Sequence, residues 1–199
     1  MTTVLSVVIA YLIGAISFSI IFTKRIKKVD IREYGSGNAG ATNTMRVLGK
    51  GPAIAVLLLD VLKGVVAILI AEAFHLSDWG IVLTGFFAIV GHVWPVYYGF
   101  KGGKGVATTI GVFMMISFLP TLIAGILTII VIALTRYVSL GSLILILVAP
   151  IIAIFFHTPL SFTIVGLILF LISAFKHRAN ISRLLNGQES KLGAKKGAI

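Results

Sequence analysis

An all-α integral membrane protein with seven transmembrane helices is the fold class this sequence predicts, and three observations predict it. The 199 residues are 58% hydrophobic and only 12% charged, against about 45–50% and about 25% in soluble domains. The apolar residues gather into runs of roughly the length needed to cross a hydrocarbon core about 30 Å thick. The basic residues gather in alternate gaps between those runs.

Taken in order, the runs are 3–22, 52–73, 79–98, 106–118, 121–135, 140–156 and 159–175. The first resembles a signal peptide but lacks a basic leading region and has basic residues behind it, which reads as a retained span. The fourth and fifth are short and separated only by Leu119 and Pro120. Two helices turning there keep the basic stretch at 101–105 and Arg136 on one side. Between the first and second runs lies a long segment rich in Gly, Asn and Thr, the kind of loop that usually carries function. After the last run, Arg178, Ile181, Leu184 and Leu185 recur at helical spacing, with Gly187 as a stop. Residues 1–187 thus read as one membrane domain, and 188–199 as a disordered tail.

Charge sets the expected orientation. Lys24, Arg25, Lys27, Lys28, Arg32, Arg46 and Lys50 follow the first run, Lys101 and Lys104 the third, and Arg136 the fifth. Lys176, Arg178, Arg183, Lys191, Lys195 and Lys196 follow the last, leaving Lys63 alone inside a run. The other gaps contain no Lys or Arg. By the positive-inside rule the N-terminus is outside, and the C-terminus and the glycine-rich loops are cytoplasmic. The net charge of +11 is therefore a membrane signature, and nucleic acid is not an expected partner. With no cysteine there is no disulfide framework or thiol nucleophile. The four histidines show no metal-ligand spacing, so neither a metal nor a cofactor is expected.

Four motifs carry chemistry. In "YGSGNAGATN" the glycines fit a dinucleotide fingerprint, but the context lacks the strand–turn–helix unit that the fingerprint requires. The physical reading that survives is an anion cradle, with glycines turning backbone N–H groups inward. Ser36, Asn38, Thr42 and Asn43 would add side-chain donors, and Arg46 a cation. In "GFKGGKGVATT", Gly102, Gly103 and Gly105 free the backbone, Lys104 supplies charge, and Val106 opens a helix whose N-terminus attracts anions. In "RYVSLGS", Ser139 and Ser142 read as caps of the sixth span. In "KHRAN", His177 and Asn180 share a face on a helix. Asp60 and Lys63, at i and i+3 within the second run, read first as an ion pair and second as a substrate contact, and His92 as a helix-packing hydrogen bond. No His-x₄-Asp dyad or G-x-S-x-G is present, so a conventional protein base or nucleophile lacks candidates.

"GSGNAGATN", "GHVWPVYYGFKGGKGVAT", "RYVSLGS" and "HRANISRL", in that order, resemble the bacterial PlsY family of acyl-phosphate:glycerol-3-phosphate acyltransferases. The resemblance implies a seven-helix enzyme of the cytoplasmic membrane with its active site facing the cytoplasm. It implies transfer of a fatty acyl group from acyl phosphate to the 1-hydroxyl of sn-glycerol 3-phosphate, giving lysophosphatidic acid and inorganic phosphate. It places substrate-binding positions at Ser36, Gly37, Asn38, Gly40, Thr42, Gly102, Gly103 and Gly105. Catalytic positions fall on Arg46, Lys104, Ser142, His177 and Asn180. It also leaves room for a partner enzyme that supplies acyl phosphate. The competing reading is a small organic-phosphate transporter built on the same anion loops, which would want polar residues along several spans.

Overall fold

The computed structural model describes residues 1–193. Every regular element among them is helical, and the chain divides into two compact units, Met1–Ile116 and a second beginning at Ser117.

In the first unit the expected 3–22 span is broken. Helix α1 (Thr2–Gly14) stops, the chain breaks from the helix over residues 15–17, and α2 (Phe18–Lys27) resumes. Past a short turn at Ile31–Glu33 comes α3 (Ala41–Leu48), so the long segment read as a loop contains a helix of its own. Then follow α4 (Lys50–Ala73), α5 (Asp78–Val93) and α6 (Val106–Ile116). Pro95, two residues after α5, cannot donate to a further turn and fits that ending.

Lipid offers no hydrophobic drive between apolar helices, so close approach of small residues must supply the packing. Two glycine pairs do so. A Cβ on Gly14 would overlap the Ala88 carbonyl, and one on Gly91 would overlap that of Tyr11, so α1 and α5 lie nearly backbone to backbone. Gly64 and Gly111 do the same for α4 and α6, against Thr108 and Val61. Ala10, Ala67 and Ala88 fill the buried centre where α1, α4 and α5 meet, and Ser6 bonds Thr84 across α1 and α5 at 3.1 Å.

The second unit holds α7 (Phe118–Thr135), α8 (Val138–Phe155), α9 (Leu160–Lys176) and α10 (Arg178–Leu185). Pro120 lies in the first turn of α7, where its missing N–H costs nothing. The break after α6 accordingly falls at Ser117, earlier than expected. Thr128 Oγ1 bonds the Gly141 carbonyl, linking α7 to α8, and Thr163 Oγ1 bonds that of Pro150, linking α9 to α8. The apolar side chains left outside, such as Ile126, Ile129 and Leu134 on α7, suit a lipid surround.

Among the described residues five spans are long and apolar enough to cross a membrane, counting the broken α1–α2 as one, and six if α9 and α10, bent by 68°, are taken together. The fourth expected span is α6, which at 11 residues and about 1.5 Å per residue covers roughly half the hydrocarbon core. Of the expected tail, 194–199 lie outside the described residues.

The α1–α5 contact gives a direct test. Gly91→Ala forces a methyl group into backbone atoms and should cost about 1–3 kcal/mol, lowering the thermal midpoint in detergent by roughly 3–10 °C. Gly125→Ala, which opens onto empty space on α7, should leave that midpoint unchanged.

Candidate active site

The first glycine motif enters α3. Gly35 and Gly37 hold φ of 62° and 70°, a region closed to most side chains. The sharp turn they make wraps around Asn43, which is fully buried. Its amide donates to the carbonyls of Ile31 and Tyr34, and its Oδ1 accepts from Ser36 N–H at 2.9 Å. Asn43 is therefore the organiser of this loop and not, as expected, a donor directed at a ligand. The backbone nest is corrected too. Ser36 N–H is held by Asn43, Gly37 N–H by the Tyr34 carbonyl and Gly40 N–H by that of Asn38. Backbone donors with little access to water find partners within the chain. What faces outward is a set of side chains: Ser36 and Arg46 are exposed, Asn38 and Thr42 half-buried. Gly40 caps α3, whose first N–H groups have no acceptor within the helix and favour an anion.

The second glycine motif is built differently. Gly102 N–H and Gly103 N–H donate to the carbonyls of Val93 and His92 at 3.3 and 3.1 Å, closing off the end of α5. At Gly103 the need is close approach: a Cβ there would overlap His92 Nε2 and come within 2.6 Å of the Ala39 carbonyl. Ala39 belongs to the first motif, so two motifs far apart in the sequence meet at Gly103. Lys104 follows, half-buried, and Gly105 leads into the N-terminus of α6. Arg32 ties the two segments again. Its guanidinium grips Asp30 and donates to the carbonyls of Tyr98 and Lys101 at 2.7 and 3.3 Å. The Arg32 hydrogen bond holds the Asp30 carboxyl below its ordinary value.

The remaining expected site residues lie in the second unit. Ser139 and Ser142 sit inside α8 and cap nothing: Ser142 Oγ returns to the Val138 carbonyl, and Ser139 Oγ donates to Glu189. His177 stands at the α9–α10 bend, 2% exposed. Its Nδ1 lies 2.9 Å from the Ser173 carbonyl. A carbonyl only accepts, so Nδ1 carries a proton, and in its neutral form the ring presents Nε2 as its acceptor. Asn180 follows one turn along, in α10, and donates to Glu189 at 2.6 Å.

Glu189 was not legible as part of a site. Its carboxylate takes hydrogen bonds from Ser139, Asn180 and Arg183 at 2.8, 2.6 and 2.7 Å, fastening the chain after α10 to α8 and α10. Burial works against its ionisation, but the bonds from Asn180, Arg183 and Ser139 outweigh this and hold its pKa below the ordinary value. A depressed carboxylate adds stability that is present at neutral pH and lost on acidification. Thermal stability should therefore fall as pH drops from the ordinary glutamate value near about 4.3 through the lower native one. Glu189→Gln should be less stable at neutral pH and lack that loss.

Comparison with known proteins agrees with the resemblance. A family profile described as glycerol-3-phosphate acyltransferase matches residues 4–187. The glycerol-3-phosphate acyltransferase of Shouchella clausii is 54% identical, covering 96% of each chain. That of Parasynechococcus marenigrum is 40% identical over 98% of this chain and 92% of the relative. Among solved structures, PlsY (YgiH), an integral membrane glycerol 3-phosphate acyltransferase, superposes in its glycerol 3-phosphate form with a TM-score of 0.92. Its sequence is 37% identical, with 97% of this chain and 96% of that one covered. Its lysophosphatidic acid form gives 0.89 at 36% identity.

Proposed function

This chain belongs to the glycerol-3-phosphate acyltransferase family, and from that premise we propose that it transfers a fatty acyl group from acyl phosphate to the 1-hydroxyl of sn-glycerol 3-phosphate. The products are lysophosphatidic acid and inorganic phosphate, and the reaction is an opening step of membrane phospholipid synthesis. The observation that carries this reading is the meeting of the two glycine motifs at Ala39 and Gly103. Beside it stand Lys104 and the N-termini of α3 and α6, features suited to phosphate in both substrates. The chain would act as a single acyltransferase domain over 1–187. Seven membrane-embedded helices, N-terminus outside, would set the loops on the cytoplasmic face of the bacterial inner membrane.

The hydroxyl oxygen attacks the acyl carbonyl carbon, the new ester bond forms, and the bond from that carbon to the phosphate oxygen breaks with its electrons leaving on phosphate. Acyl phosphate is already activated, so the protein's work is orientation and charge stabilisation. Arg46 and Lys104 neutralise phosphate. Ser36, Gly37, Asn38, Gly40 and Thr42, with Gly102, Gly103 and Gly105, shape the phosphate-binding loops. Ser142, His177 and Asn180 hold the acceptor, with His177 Nε2 accepting from a glycerol hydroxyl. The phosphate of glycerol 3-phosphate takes the departing proton, which fits a site whose carboxylate, Glu189, is already committed to Ser139, Asn180 and Arg183. A transporter is disfavoured because the charged side chains within the spans, Asp60 and Lys63, bond to each other at 2.9 Å and do not line a path.

Purified protein offered acyl phosphate, acyl-CoA and acyl carrier protein separately should form lysophosphatidic acid from acyl phosphate alone. Product from a thioester donor and none from acyl phosphate would overturn the donor assignment. Lys104→Ala should lower kcat by about 10²-fold or more in inserted, folded protein. His177→Gln should raise KM for glycerol 3-phosphate more than KM for acyl phosphate, measured by varying each substrate in turn.

A further inference from the structure

The catalytic reading leaves one cluster unused. Asp60 and Lys63 on α4 and His92 on α5 are 2%, 3% and 7% exposed, in a region where charge is costly and needs internal partners. Lys63 Nζ lies 2.9 Å from Asp60 Oδ1, 2.9 Å from the Ile16 carbonyl and 2.8 Å from His92 Nδ1. An ammonium has three N–H donors and no acceptor. Because the ammonium can only donate, His92 Nδ1 must receive a proton from it and cannot supply one. The neutral imidazole then carries its proton on Nε2. The cluster as a whole is charge-neutral, the state that lipid surroundings favour.

His92 Nε2 is the ring atom that a Cβ on Gly103 would overlap. The backbone carbonyl of the same residue accepts from Gly103 N–H at 3.1 Å. His92 therefore meets Gly103 with both its main chain and its ring, and the Ala39 carbonyl of the first motif lines the same small space. Lys104 is the next residue. Asp60 fixes Lys63, Lys63 fixes the His92 tautomer, and His92 borders the junction of the two glycine motifs.

We propose that Asp60, Lys63 and His92 form a positioning network, in which the ion pair locks His92 as its Nε2–H tautomer and so holds Gly103 and Lys104 in register with the first glycine motif. The function rests on the reading that these motifs handle phosphate. None of the three residues touches substrate, and their effect passes through the placement of Lys104. A purely structural ion pair would need any compact partner at position 92, whereas this network needs a donor at the Nε2 position, beside the Ala39 carbonyl that borders Gly103.

The test uses the full chain, labelled with [¹⁵N]histidine in detergent, with the His92 signals identified by their loss in His92→Gln. The wild type should show an unprotonated Nδ1 and a protonated Nε2. Asp60→Leu/Lys63→Met, an apolar replacement of the pair, should erase that preference. A protonated Nδ1 in the wild type, or an unchanged tautomer in the double variant, would overturn the network. In acyl transfer, His92→Gln can place an amide N–H where Nε2–H stood and should keep most of the activity. His92→Asn, too short to do so, should lose about tenfold or more in kcat/KM at an unchanged thermal midpoint. Equal losses in both variants would overturn the positioning role. A wild-type chain that transfers no acyl group would instead remove the functional reading, while the tautomer measurement still decides the network.

Discussion

The Lys63 ammonium is the point on which the first unit depends. In lipid every polar group must be satisfied by the protein itself, and Lys63 satisfies three at once. It balances the Asp60 charge on its own helix, donates to the Ile16 carbonyl in the break between α1 and α2, and donates to His92 Nδ1 at the end of α5. Its cation also lies 5.9 Å from the Phe18 ring centre at the start of α2. A break in one helix and the end of another are thus stabilised by one side chain. The chain leaving α5 turns back so that Gly102 and Gly103 close off its last carbonyls, which is what brings Gly103 against Ala39 of the first motif.

Around that anchor the glycine motifs are rigid supports more than flexible loops. The N–H groups of Ser36, Gly37, Gly40, Gly102 and Gly103 are committed to carbonyls or to Asn43, so the turns are held by the chain itself. Preorganisation of this kind suits the proposed reaction, whose donor is already activated, since the protein then adds placement and compensating charge. The second unit shows the same economy. Glu189 collects Ser139, Asn180 and Arg183 onto one carboxylate, while the Ser173 carbonyl fixes which nitrogen of His177 is protonated. In each unit a polar group that contacts no substrate in the proposed mechanism sets the orientation of one that does.

Much of this was legible in the sequence. The apolar runs anticipated helices at 50–73, 78–93, 118–135, 138–155 and 160–176 to within a few residues, because transfer of apolar side chains into lipid is additive along a span. Four ordered motifs were enough to indicate the family. The break at residues 15–17 was not visible, since Ala15, Ile16 and Ser17 continue the apolar run and the stabilising Lys63 lies far along the chain. Helix α3 was hidden for a related reason: "ATNTMRVL" is polar and short, and its packing on α4 comes only with the fold. Asn43 and Glu189 were misread or missed because a residue's hydrogen-bond partners are a tertiary property. The glycines at 102 and 103 were attributed to backbone freedom, when the reason at Gly103 is the ring and carbonyl packed against it.

The central claim is that the polar loops of this membrane protein serve chemistry and not passage. Proteoliposomes containing the purified chain, supplied outside with labelled glycerol 3-phosphate and with acyl phosphate, separate the two. The account predicts label appearing in lysophosphatidic acid within the bilayer, with one phosphate released per molecule formed. Label accumulating inside the vesicles as unchanged glycerol 3-phosphate, with no lysophosphatidic acid, would contradict it.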